Sequence, residues 1–134
     1  MGWQKTFNLL ERAKGCHLVT KEILAEIGSG LEGVQVCYLL KQKHTSAALT
    51  VNENYDRDVR TDMDMALDVI VPESLDWRHT DEGSDVSHTK ASLIGSSISI
   101  PITNGKLNLG TWQGIYLTEF RHRSHSRTIV ATIM

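Results

Sequence analysis

From Trp3 to Leu10 apolar and polar side chains alternate at roughly period two, the pattern of a strand with one buried face. Thr20 can N-cap a helix running to Ile27, with Ile23, Leu24 and Ile27 on one face and Gly28 or Gly30 closing it. Val34 to Leu40 and Ala47 to Val51 read as apolar strands parted by the polar KQKHTS. Asp56 to Val71 carries Val59, Met63, Ala66, Leu67 and Ile70 at helical spacing, with acids in its first turn, Asn54 or Asp56 as cap, and Pro72 as a stop. Pro72 to Ser87 is polar and acidic without periodicity, and reads as a long connection. Ser97 to Thr103 alternates again, Asn104-Gly105 is a type I′ hairpin signal, and Lys106 to Leu109 returns. Ile115 to Phe120 and Thr128 to Met134 complete an antiparallel set. Pro101 cannot donate to a ladder, so its strand should be irregular or peripheral.

These elements predict an α+β fold: one domain over residues 1–134, a mainly antiparallel sheet with two helices packed on one face. With 14 basic and 16 acidic residues intermixed, the chain lacks the basic face that would bind nucleic acid. Cys16 and Cys37 are too few for a disulfide framework or a cysteine-rich zinc site and suggest reduced thiols. No apolar run is long enough to span a bilayer, and the expectation is a cytoplasmic protein without a membrane partner. Gly2 with Thr6 matches a myristoylation pattern loose enough to recur by chance.

Two segments concentrate chemistry, HTSAALTVNEN from His44 to Asn54 and the stretch from His88 to Phe120. His79 and His88 flank the acidic TDEGSDVS loop and could converge on a metal with His44, while Asp81, Asp85 or Glu53 supplies a carboxylate. Structural or surface roles compete for each histidine. Lys90, Ser92, Ser96 and Ser97 around Gly95 offer a cation, hydroxyls and backbone amides suited to phosphate, or simply a serine-rich edge; Thr45 and Ser46 pose the same choice. Glu53 could serve as a general base or brace the following helix. Trp112, in GTWQG, could cover a flat ring, although core filling is the first expectation. Glu119 lies in an apolar strand and needs a partner, for which Arg121, Arg123 and Arg127 are candidates. RHRSHSR reads as a solvated basic turn.

HTSAALTVNEN, the His79 to His88 loop, KASLIGSSISIPI and GKLNLGTWQGIYLTEFR together resemble the YjbQ family over nearly the whole chain. The resemblance implies a small α+β protein assembling as a homotrimer, of the kind labelled secondary thiamine-phosphate synthase. It implies a pocket lined by His44, His79 and His88 with a divalent metal, zinc or magnesium. Glu53, Lys90 and Glu119 would serve catalysis there, and Thr45, Ser46, Ser92, Ser96, Trp112 and Gln113 would hold a small phosphorylated substrate. In the implied reaction a thiazole phosphate displaces diphosphate from an aminopyrimidine diphosphate. Metal-dependent hydrolysis of a small phosphate ester with Glu53 as base, and metal or small-molecule binding without catalysis, are the alternatives. One departure stands out: an asparagine is expected shortly before His88, where Asp85 adds a negative charge that could strengthen a cation site.

Overall fold

The computed structural model describes residues 2–31, 37–81 and 85–134. The elements are β1 (Trp3–Asn8), β2 (Gly15–Leu18), α1 (Thr20–Ile27), β3 (Cys37–Gln42), β4 (Ala47–Glu53), α2 (Arg57–Ile70), α3 (Ser87–Ile94), β5 (Ser97–Thr103), β6 (Lys106–Leu107), β7 (Gln113–Glu119) and β8 (Thr128–Ile133). The α+β class stands, with three helices where two were expected and with the strands divided between two antiparallel sheets. One has the order β1-β8-β3-β5-β6, the other β2-β7-β4. The start of the strand expected from Val34 lies outside the described residues.

Alternation decides how the sheets meet. Ala47 and Leu49 of β4, and Ile115 and Leu117 of β7, join Ile100, Ile129, Ala131 and Ile133 of the larger sheet in one buried cluster. Helix α1 contributes Ile23 and Ile27 to the same cluster. The opposite face of β4 and β7 is covered from outside, where Ala48 and Phe120 pack with Leu67 of α2 and Ala91 and Ile94 of α3. Burying this much apolar surface is the main stabilising term.

Local rules fix the remaining joints. Asp56 caps α2 by accepting from the Asp58 N–H at 2.9 Å. Thr20, expected as the cap of α1, is already helical, and its hydroxyl instead accepts from Ile115 N–H at 2.8 Å, tying the helix to β7. Asn104 and Gly105 take φ of 52° and 71°, the left-handed pair that a type I′ turn requires. Pro101 lies on β5 beyond the two pairs made with β6, so its missing N–H interrupts no ladder.

The core-facing register also buries an ion pair. Arg127 and Glu119 are 3% and 0% exposed, and the guanidinium meets the carboxylate bidentately, with Nε to Oε2 at 2.6 Å. Arg127→Leu should therefore cost about 3–5 kcal/mol, because it strands a buried carboxylate, and adding Glu119→Leu should recover most of that loss. Urea unfolding midpoints of the two variants measure both effects.

Candidate functional site

The carboxylate of Asp85 is the centre of the site. It lies just ahead of α3, which packs on β4, and its side chain is only 4% exposed. Its Oδ1 accepts from the backbone N–H of Ser87 at 3.0 Å and from the Ser87 hydroxyl. Its Oδ2 accepts from Arg121 Nη2 at 2.9 Å, and Arg121 Nε donates to Ser87 Oγ at 2.9 Å. Two imidazoles approach the same Oδ2, His88 Nε2 at 3.2 Å and His79 Nε2 at 3.5 Å. Their rings stand 5.2 Å apart, tilted by 43°.

His88 Nδ1 lies 2.9 Å from the Thr45 carbonyl oxygen. A carbonyl only accepts, so Nδ1 carries the proton, and in the neutral ring Nε2 presents a lone pair toward Asp85. Lone pair against carboxylate is repulsive unless a proton or a cation lies between them. Ligand atoms of His79, Asp85 and His88 fall within 4.8 Å of one another. Their 3.2 and 3.5 Å separations fit a tetrahedron with bonds near 2.1 Å, whose edge is about 3.4 Å. Two nitrogens and one oxygen suit zinc better than magnesium, which favours all-oxygen shells. The imidazoles are half exposed, so the side away from Asp85 is open.

Other expected residues are distributed differently. His44 stands outside the trio, because its Nε2 accepts the Thr128 N–H at 3.1 Å and cannot also offer that lone pair to a metal. It does share an open cavity of about 710 Å³ with His88, Thr45, Ser92 and Ser96, along with Lys41 and Lys43. Ser46 is buried, its hydroxyl held by Arg127 Nη2 at 2.8 Å, so it faces no substrate. Glu119 is likewise consumed by Arg127. Lys90 is 1% exposed, bound to Asp68 with its ammonium 5.8 Å from the Phe120 ring centroid, and is a buried structural cation instead of a phosphate ligand. Burial alone would raise the Asp68 pKa, but hydrogen bonds from Lys14 and Lys90 outweigh it and hold the carboxyl below its ordinary value.

Glu53, Trp112 and Gln113 sit at the other end of the β4–β7 ladder. Seven residues of β4 separate that end from His44 and Thr45, about 20 Å at strand rise. Glu53 braces the start of α2 by accepting from the Tyr55 and Asp56 N–H groups. Gln113 Oε1 accepts from Gly110 N–H at 2.8 Å. Trp112, expected to fill the core, is 60% exposed and meets Tyr55 edge to face at 5.5 Å. Ser87 was not singled out by the sequence, and Arg121 was named only as a candidate partner for Glu119. The signal was present in the cation directly after Glu119-Phe120, but it lay inside a run read as a solvated turn.

Burial, and then the Arg127 charge, lowers the His44 pKa, which keeps Nε2 bare to accept from Thr128. A depressed folded pKa gives stability that is present above the unfolded value near 6.5 and lost as pH falls through the folded one. In an NMR titration the His44 midpoint should therefore fall below 6.5, with the Thr128 amide signal moving in step.

The chain matches the family described as UPF0047 protein YjbQ-like over residues 5–134. The UPF0047 protein YjbQ of Salmonella typhimurium is 44% identical over 99% of this chain and 98% of its own length. The UPF0047 protein sll1880 of Synechocystis is 35% identical over 97% and 90%. Among solved structures, a YjbQ/UPF0047 protein of Clostridium acetobutylicum superposes with a TM-score of 0.80 at 34% identity, covering 100% of this chain and 99% of that one. A YbjQ-like protein of unknown function from Sulfolobus solfataricus gives 0.87 at 22% identity over 99% and 96%. With the fold and nearly the whole length matched, the chain belongs to the YjbQ/UPF0047 family.

Proposed function

We propose that this protein holds a divalent metal, zinc by donor set, through His79, Asp85 and His88, and acts on a small phosphorylated substrate in the cavity beside them. The convergence of two imidazole Nε2 atoms on one buried carboxylate oxygen carries this reading. When bound, such an ion supplies positive charge to phosphate oxygens. Arg121 and Ser87 orient Asp85, and the Thr45 carbonyl fixes the His88 tautomer, as outer-shell partners do at metal sites. Lys41 and Lys43 on the cavity wall add charge that a phosphate would meet.

The reaction that suits this site is coupling with loss of diphosphate. A thiazole nitrogen attacks the methylene carbon of an aminopyrimidine diphosphate, the carbon–oxygen bond breaks, and diphosphate leaves with the electron pair. That displacement needs neutralisation of the leaving group and close positioning of two rings, not a strong base. Hydrolysis with Glu53 as base fits less well, since Glu53 is across the sheet and engaged with α2. Assembly as a homotrimer would offer cover for Met65, Val69 and Ile70, exposed apolar residues of α2.

Elemental analysis of the purified protein should find close to one metal per chain, with a loss of roughly tenfold or more in His88→Ala and Asp85→Asn. Incubation with both thiamine precursors should release diphosphate in step with coupled product. Phosphate release from generic esters would instead indicate a hydrolase, and metal binding with neither release would indicate sequestration. Absence of metal in wild type and variants alike would overturn the site.

A further inference from the structure

A second cavity, of about 320 Å³, opens between β2 and the start of α2, and it shares no residue with the His79, Asp85 and His88 trio. Arg12, Arg57 and Arg60 line it, together with Thr61 and His17. Among the described residues, no carboxylate lines it. Two features make this concentration of charge unusual. First, Arg57 and Arg60 form no ion pair among the described residues, whereas Arg12 is engaged through Nη2 to Glu22 Oε1 at 2.6 Å and through Nη1 to the Leu10 carbonyl at 3.1 Å. Second, the Arg60 Nε atom is buried without a hydrogen-bond partner. A buried guanidinium N–H lacking an acceptor is unfavourable, so the protein leaves the Arg60 charge uncompensated.

The backbone beneath is rigid. Arg12 exchanges both backbone hydrogen bonds with His125, at 3.1 and 3.0 Å, and Cys16 and Leu18 belong to the β2–β7 ladder. His17 Nε2 lies 2.8 Å from the Ala13 carbonyl, so that nitrogen holds a proton and is spent on the chain. Donors remaining for a ligand are thus the guanidinium groups of Arg57 and Arg60, the outer edge of Arg12 and the Thr61 hydroxyl. Guanidinium forks match phosphate oxygens in both geometry and charge. Arg12, Leu18 and Arg60 also border an adjoining cavity of about 560 Å³ that includes Thr20, Lys21, Glu22 and Asn54, giving room for a polar organic portion.

We infer that the cleft between β2 and α2 is an anion site for the phosphate group of a small molecule, with Arg57 and Arg60 as its principal ligands and Arg12 as its fixed wall. It is independent of the metal site and would survive the failure of that reading.

Isothermal titration calorimetry at low salt with inorganic phosphate and with diphosphate tests it on the purified protein. Saturable binding is expected, weakened roughly tenfold or more in Arg57→Gln and in Arg60→Gln, as loss of a charge-assisted bond implies, and unchanged in Lys106→Gln, an exposed position of β6 that lines neither cavity. Arg57 is exposed, so its variant should fold normally, and thermal unfolding checks both arginine variants. Lack of saturable binding at millimolar anion, or equal affinity in the two arginine variants and wild type, overturns the site. Binding lost in His88→Ala but kept in the arginine variants would also overturn it, by moving the anion to the metal-side cavity.

Discussion

Arg127 reaches from the edge of β8 into the space between the sheets and meets Glu119 at the last pair of the β4–β7 ladder. Two charges taken out of water are costly unless each finds its partner and its further hydrogen bonds. Here they do. Glu119 Oε1 accepts from the N–H groups of Phe120 and Arg121, and Arg127 Nη2 also donates to the carbonyl and hydroxyl of Ser46. Satisfying this pair holds Ser46 beside Glu119, and with it the adjoining Thr45 carbonyl on which His88 depends. The same bonds set where Arg121 leaves β7, so both outer supports of Asp85 and His88 trace back to one buried interaction.

The site is consequently a product of backbone placement more than of reactive side chains. Thr45 contributes a carbonyl, Ser87 an amide and a hydroxyl, and Arg121 a fork. Each constrains a group that would otherwise turn freely on a polar surface, which is what a site needs if ligand atoms are to remain within bonding reach of one ion. His44 shows the converse. It lies on the same rim and lines the same cavity, yet its Nε2 is committed to β8, so it shapes the cavity without joining the trio.

Much of the fold was legible because burial followed the expected periods. The strands expected over Ala47 to Val51 and Ile115 to Phe120, the Asn104-Gly105 turn and the Asp56 cap all appear where local physics placed them. Helix α3 was missed for a physical reason: its buried residues are Ser87 and Lys90, while Leu93 is 56% exposed, which inverts the apolar signal. β2 was missed because four residues, GCHL, carry too little pattern. For the site, the convergence of His79 and His88 could be proposed from the loop that joins them, but the choice of Asp85 over Asp81 or Glu53 could not. It depends on Ser87 and Arg121 burying that carboxylate, and Arg121 comes from a distant strand end.

Sequence proximity was least informative where one strand served two ends of the molecule. HTSAALTVNEN reads as a single chemical cluster, yet a strand is extended, and its first and last side chains lie about 20 Å apart. Thr45 therefore belongs with His88, and Glu53 with the start of α2. The same reasoning separates Lys90 from Ser92 and Ser96 although all three lie close together in the chain. A helical turn directs Lys90 inward to Asp68 and Phe120 while the serines line the open cavity. An ammonium already paired and desolvated in the folded chain would have to break that pairing to meet a phosphate, whereas Lys41 and Lys43 on the cavity wall, and Arg57 across the molecule, need not.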